Sequence, residues 1–216
     1  MNVDSAEVKT DRRRARTRAA LLQAGQSLFA AQSVDAVSID DIVLTADVAK
    51  GSFYNHFADK EALAREIAVA VRAEAEADVD AANAGVGDPA LRMARGQAVF
   101  VRYAARNPER ARAMMRLHAG ATLPNAPMNR GLRADIEAGL TSGAFHGVTL
   151  ETGLLMAMGM GMIAVTRVLE ADGTTAPHAL SRDLNFGLLR GLGVAEDAAR
   201  ATSAAAVSDI FGETLS

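Results

Sequence analysis

The side chains best suited to chemistry crowd into one short run, Lys50-Gly51-Ser52-Phe53-Tyr54-Asn55-His56-Phe57. Wound as a helix, the run puts Phe53 and Phe57 four apart on one face. Lys50, Gly51, Ser52, Tyr54, Asn55 and His56 then occupy the remaining surface. That surface has no acid and is rich in donors that reach phosphate oxygens and base edges. Gly51 permits close backbone approach to a ligand. Lys60 falls in the first turn of the following predicted helix, where a cation opposes the helix dipole and makes better sense beside an anion. The chemistry on offer is recognition of a polyanion.

Catalysis is not on offer. The histidines are scattered at 56, 118, 146 and 178, there is no cysteine, and neither a glycine-rich phosphate loop nor an H-x-x-x-H spacing occurs. Asp40 and Asp41 read as helix-capping residues rather than a metal pair. The expectation is no enzyme, no cofactor and no metal.

The elements that must position the donors can be read from periodicity. From Arg12 to Ala31 apolar residues recur at helical spacing, with Leu21, Ala24 and Leu28 in line and Leu22 and Phe29 beside them. Ser38-Ile39-Asp40-Asp41 resembles a capping box and opens a short helix running to about Ala46. Asp47-Val48 predicts a tight turn, and a second short helix covers Ala49 to about His56. Asp59 can cap a longer helix carrying Leu63, Ile67, Ala70 and Val71. Two short helices joined by a tight turn and braced by a helix before them form a helix-turn-helix. Ile42, Val43 and Val48 are its expected buried residues.

These residues resemble the DNA-binding domain of TetR/AcrR-family regulators. The resemblance rests on Leu28-Phe29-Ala30, on Ser38-Ile39-Asp40-Asp41-Ile42, and on Lys50 through Glu61, and it covers roughly residues 12–70. Carried over by position, it implies that Ser38, Tyr54, His56 and Lys60 hold the phosphate backbone. Lys50, Gly51, Ser52 and Asn55 would face the major groove, with Arg12–Arg18 as a further arm. Two positions depart from the family pattern. Asp47 stands where glycine is usual, and aspartate tolerates left-handed geometry better than most residues. Ala49 stands where Ser or Thr often caps the recognition helix, so one phosphate contact should be missing.

Beyond residue 80 no motif is as sharp, and the reading is all-α throughout. Residues 81–88 form an expected hinge, Asp88-Pro89 an N-cap and first helical position. Further helices are expected over Asn129–Gly143, Thr149–Glu170, Pro177–Gly191 and Glu196–Gly212. The expected domains are 1–11, the start of an unstructured basic arm; 12–58, the helix-turn-helix; 59–82, a connecting helix; and 83–216. By the resemblance, the last is an all-helical ligand-binding and dimerisation domain. A largely apolar effector pocket is expected from Met93, Phe100, Met114, Leu117, His118 and Met158. An intersubunit helix bundle is expected to use Leu155, Met162, Leu188 and Leu189. Gly153, Gly159 and Gly161 each cost roughly 1 kcal/mol of helix propensity against alanine, which close approach of another helix would offset.

The net charge of −3 does not by itself suggest nucleic acid. Its distribution is more telling, since Lys9, Arg12, Arg13, Arg14, Arg16 and Arg18 face only Asp11, a run that reads equally as a local DNA contact or as a solvated tail. Phosphates sense charges within about a Debye length, ~8–10 Å. The apolar run around Leu154–Val165 is shorter than the ~20 residues a bilayer demands, and the N-terminal residues lack the apolar core of a secretory signal. The expectations are a cytoplasmic homodimer without a membrane partner, a double-stranded DNA operator and a small-molecule effector. The alternative is an architectural or partner-regulated DNA-binding dimer without an effector.

Overall fold

A computed structural model describes residues 3–117, 129–171 and 174–212, and side chains from residue 11 onward. Among them are ten α-helices and no strand: α1 (Val3–Ala31), α2 (Ile39–Thr45), α3 (Lys50–Tyr54), α4 (Lys60–Ala82), α5 (Pro89–Arg106), α6 (Pro108–Arg116), α7 (Arg130–Ser142), α8 (Leu150–Glu170), α9 (Pro177–Gly191) and α10 (Glu196–Phe211). The chain divides into two units.

The first unit comprises Met1–Val71 with Arg112–His118. Leu21 and Phe29 of α1, Ile42 of α2, Phe53 of α3 and Leu63 of α4 are fully buried. Gly25 lets α1 and α4 approach closely: a Cβ there would stand 2.8 Å from Leu63 Cδ2. The turn between α2 and α3 is made as its sequence suggests, with Asp47 at φ 53°, the one non-glycine residue of positive φ among the described residues. Such geometry costs a β-carbon roughly 1–2 kcal/mol. It persists because Val48 N–H donates to Val43 O at 3.0 Å and pins the turn.

Two elements differ from expectation. The first helix begins at Val3, so the stretch expected to be an unstructured arm is helical. No proline interrupts residues 3–31 and no glycine precedes Gly25, and a helix start polar on every side gives no apolar rhythm to mark it. The helix expected over Ala49–His56 is regular only from Lys50 to Tyr54. It closes with His56 and Phe57 both donating to Phe53 O at 2.9 Å.

The second unit comprises Arg72–Ala111 and Ala119–Ser216, with α5 packed on α7, α8, α9 and α10. Alanines at 94 and 98 are fully buried in α5, and such small side chains let neighbouring helices come near. The predicted stops and starts hold. Asp88 caps α5 by accepting from Ala90 N–H at 2.9 Å, and Thr149 caps α8 by accepting from Thr152 N–H at 3.1 Å. Gly143 and Gly212, both left-handed, end α7 and α10. The 81–88 connection is tied down: Arg92 pairs with Asp135 at 2.6 Å and donates to the carbonyls of Asn83 and Val86.

The glycines of α8 are accounted for separately. Gly153 admits Ile136 of α7, whose Cγ2 would lie 3.2 Å from an added Cβ, and Gly161 admits Gln97 of α5 at 2.8 Å. A Cβ at Gly159 would meet nothing within 4 Å. Gly159 lies on the outer face of α8, between Leu155 (48% exposed) and Ile163 (67% exposed). By length and composition α8 could cross a membrane, but Leu154, Ala157, Ala164 and Val165 bury its other face in the protein.

Candidate nucleic-acid interface

The site is built on the two short helices of the first unit. Ser38 caps α2 in a reciprocal box. Its Oγ accepts from Asp41 N–H at 3.1 Å, and Asp41 Oδ2 accepts from Ser38 N–H at 3.0 Å and from its hydroxyl at 2.6 Å. Those two donated bonds hold the Asp41 carboxyl below the usual carboxylate range. The carboxylate is thereby fixed at the helix start, where the dipole favours it.

Beneath α3, Phe53 is fully buried and Phe57 nearly so, their ring centroids 5.8 Å apart. Above them the predicted donors face outward. Lys50, Gly51 and Asn55 are exposed, Ser52 and His56 half-buried, and Tyr54 is 55% exposed with its ring edge-on to Phe53. A Cβ at Gly51 would meet no atom within 4 Å, so this backbone is open to a ligand. Ala49 occupies the N-cap of α3 and offers no side-chain cap.

Burial, then the nearby positive charges of Arg14 and Arg18, push His56 below its ordinary value of 6.5. The ring is therefore neutral at neutral pH, with one nitrogen to donate and one to accept. Arg18 belongs to the support of the site: it pairs with Glu66 and lies 5.5 Å over the Phe57 ring.

Two contacts were not foreseen. Lys50 Nζ pairs with Asp40 Oδ1 at 2.8 Å, which raises the lysine pKa. Lys60, whose charge opposes the dipole of α4, is engaged by backbone rather than waiting on an anion. Its Nζ donates to Val37 O at 2.8 Å and to Asp35 O at 3.1 Å. Asp59 compensates at the same helix start, accepting from Ala62 N–H at 2.6 Å. The Asp40–Lys50 pair was legible in principle, since a helix-turn-helix brings the start of its first helix towards the start of its second.

The pair carries a prediction. Asp40→Asn leaves the ridge intact and frees Lys50 for phosphate. Duplex binding should tighten several-fold at low salt, and the slope of log K against log salt should steepen by about 0.9, the contribution of one more neutralised phosphate. Filter binding across a salt series reads both, and an unchanged slope would mean that Asp40 does not restrain the lysine.

The expected effector and dimer residues fall as follows. Met93 is buried in the core of the second unit, Met158 packs against that core, and Phe100 lies half-buried beneath the Arg72 guanidinium at 5.1 Å. Met114 is buried and Leu117 half-buried; both are grouped with the first unit. His118 lies outside the described residues. Leu155 is exposed and Met162 half-buried on α8. Leu188 and Leu189 correct the expectation: both are buried within the protomer's own core and present no surface to a second copy. An apolar pair on α9 reads as an interface in sequence, but α9 packs against α5, α8 and α10 and is consumed by them.

Residues 21–67 match the family model of bacterial regulatory proteins, tetR family. A comparison with curated proteins gave no match. Among solved structures the chain is similar to RolR in complex with resorcinol (24% identity, 89% of this chain and 95% of that one, TM-score 0.60). It is also similar to a tetR-family regulatory protein from Rhodococcus RHA1 (24%, 84% and 97%, TM-score 0.64). A third likeness is to a gamma-butyrolactone receptor described as ArpA-like (20%, 91% and 99%, TM-score 0.65). At these identities the likeness speaks for the fold.

Proposed function

We propose that this chain, whose residues 21–67 match the family model of bacterial regulatory proteins, tetR family, is a repressor released from a palindromic operator by a small-molecule effector. Two copies would set two α3 helices into major grooves about one helical turn apart, ~34–36 Å. Lys50, Gly51, Ser52 and Asn55 would face base edges. Ser38, Tyr54, His56 and the remaining donor of Lys60 would hold phosphates. The second unit would bind the effector and join the copies. An effector that favours one arrangement of the dimer over another weakens operator binding by its differential affinity for the two.

The observation that carries this reading is the acid-free donor ridge of residues 49–57, turned outward over Phe53 and Phe57. RolR with resorcinol and the gamma-butyrolactone receptor support the effector half of it, because each pairs this fold with a small organic ligand. The test is selection of duplexes from a random pool. The native chain should enrich an inverted repeat, and a Lys50→Ala, Tyr54→Phe chain should lose that enrichment while keeping its melting temperature. Equal enrichment by both chains would overturn the assignment of the ridge to DNA.

A further inference from the structure

Within the second unit, α5, α8 and α9 line a partly open cavity of about 10 Å³, near the ~10–15 Å³ that one water occupies. Its polar lining is Gln97, Ser181 and Asn185, and its apolar lining includes Val101, Met160 and Leu184. No ionisable side chain lines it.

The polar groups are unequally served. Gln97 Nε2 donates to Ala157 O at 2.8 Å, and Asn185 Nδ2 donates to Ala94 O at 2.9 Å. Ser181 is only 2% exposed, and its Oγ has no hydrogen-bond partner among the described residues. A buried hydroxyl left without a partner is costly, and native folds rarely keep one without a use. Gly161 contributes by omission: its missing Cβ is what lets the Gln97 amide reach α8. The fold thus gives up helix propensity to hold one amide and one free hydroxyl at the same small cavity.

Met160 supplies a way in. It is half-buried, and its Cε would lie 3.6 Å from a Cβ added at Gly187, an exposed residue of α9. The flexible side chain thus lines the cavity and borders an exposed glycine, and three rotatable bonds let it swing away.

We propose that this cavity, opened by movement of Met160, is the effector site of the chain, and that it takes a small neutral molecule presenting one hydroxyl to Ser181 Oγ and the Gln97 amide. The inference rests on the effector-responsive reading above and deepens it. A hydroxyl both donates and accepts, so it can satisfy a serine and an amide together. A carboxylate would be buried without a countercharge and is excluded.

The full-length chain, labelled at its methionine methyls, is titrated with phenol, toluene and benzoate and followed by NMR. Phenol should shift the Met160 methyl and raise the melting temperature; toluene should bind about tenfold more weakly, and benzoate not at all. Ser181→Ala should bring phenol down to the toluene level while the free protein melts no lower, since the hydroxyl it removes has no partner to lose. A merely structural serine would lower the melting temperature instead. Equal binding of phenol and toluene, no response at Met160, or a destabilised Ser181→Ala chain each overturns the site. Duplex selection on the same ligand-free protein keeps the readings apart. A chain that enriches an inverted repeat but ignores phenol sinks this site alone; one that enriches none sinks the regulator reading.

Discussion

A chain carrying Leu155→Arg and Ile163→Arg is expected to run as a monomer by light scattering and to lose operator binding by ~10²–10⁴-fold, the gain that linkage of two binding events ordinarily brings. Both residues stand exposed on α8, and Gly159 between them has open space where a side chain would be. The spacing 155, 159, 163 repeats every four residues, so the three share one helix face. Gly153 and Gly161 have neighbours within the protomer that account for their lack of a side chain, and Gly159 has none. A second copy of α8 crossing at this notch would offset the propensity it gives up. The two arginines change only exposed positions, so the protomer should keep its helix content and melting behaviour. A dimer that survives the double change would move the interface elsewhere on the second unit.

How far the sequence carried this reading depends on what kind of signal each element left. Local chemistry was legible. Ser38 before Asp41 and Asp88 before Pro89 are caps made by neighbours in the chain, and both form as read. Asp47 was legible as well, because few residues besides glycine and asparagine accept its geometry. What escaped were partners distant along the chain. Lys60 reaches back to carbonyls 23 and 25 residues earlier, and nothing in its own neighbourhood announces that. The cavity escaped for the same reason: Gln97 and Ser181 become neighbours only once α5 and α9 pack. Apolar residues mislead where burial has two sources. Leu188 and Leu189 have the composition of an interface, and only the placement of α9 among α5, α8 and α10 shows that the protomer itself uses them.

Phe53→Ala should produce the largest loss of stability in the first unit, roughly 3–5 kcal/mol, the usual outcome of emptying a fully buried phenylalanine site. Phe53 has no exposed surface, and its ring meets Tyr54 edge-on at 5.5 Å and Phe57 at 5.8 Å between centroids. Only five residues of α3 are regular helix, and its N-cap, Ala49, supplies no side-chain bond. So short a helix cannot hold itself up; its shape is lent by the phenylalanine beneath it. Removing that ring takes a large share of the ~5–15 kcal/mol by which a domain is ordinarily stable. Duplex binding should vanish although every donor on the ridge is still encoded. Because the chain divides into two units, phenol binding at the Ser181 cavity should persist in the same protein. Calorimetry would then show one transition moved sharply down and a second nearly unmoved. If instead Phe53→Ala melts like the native chain and still selects duplexes, the ridge is held by something other than its aromatic floor.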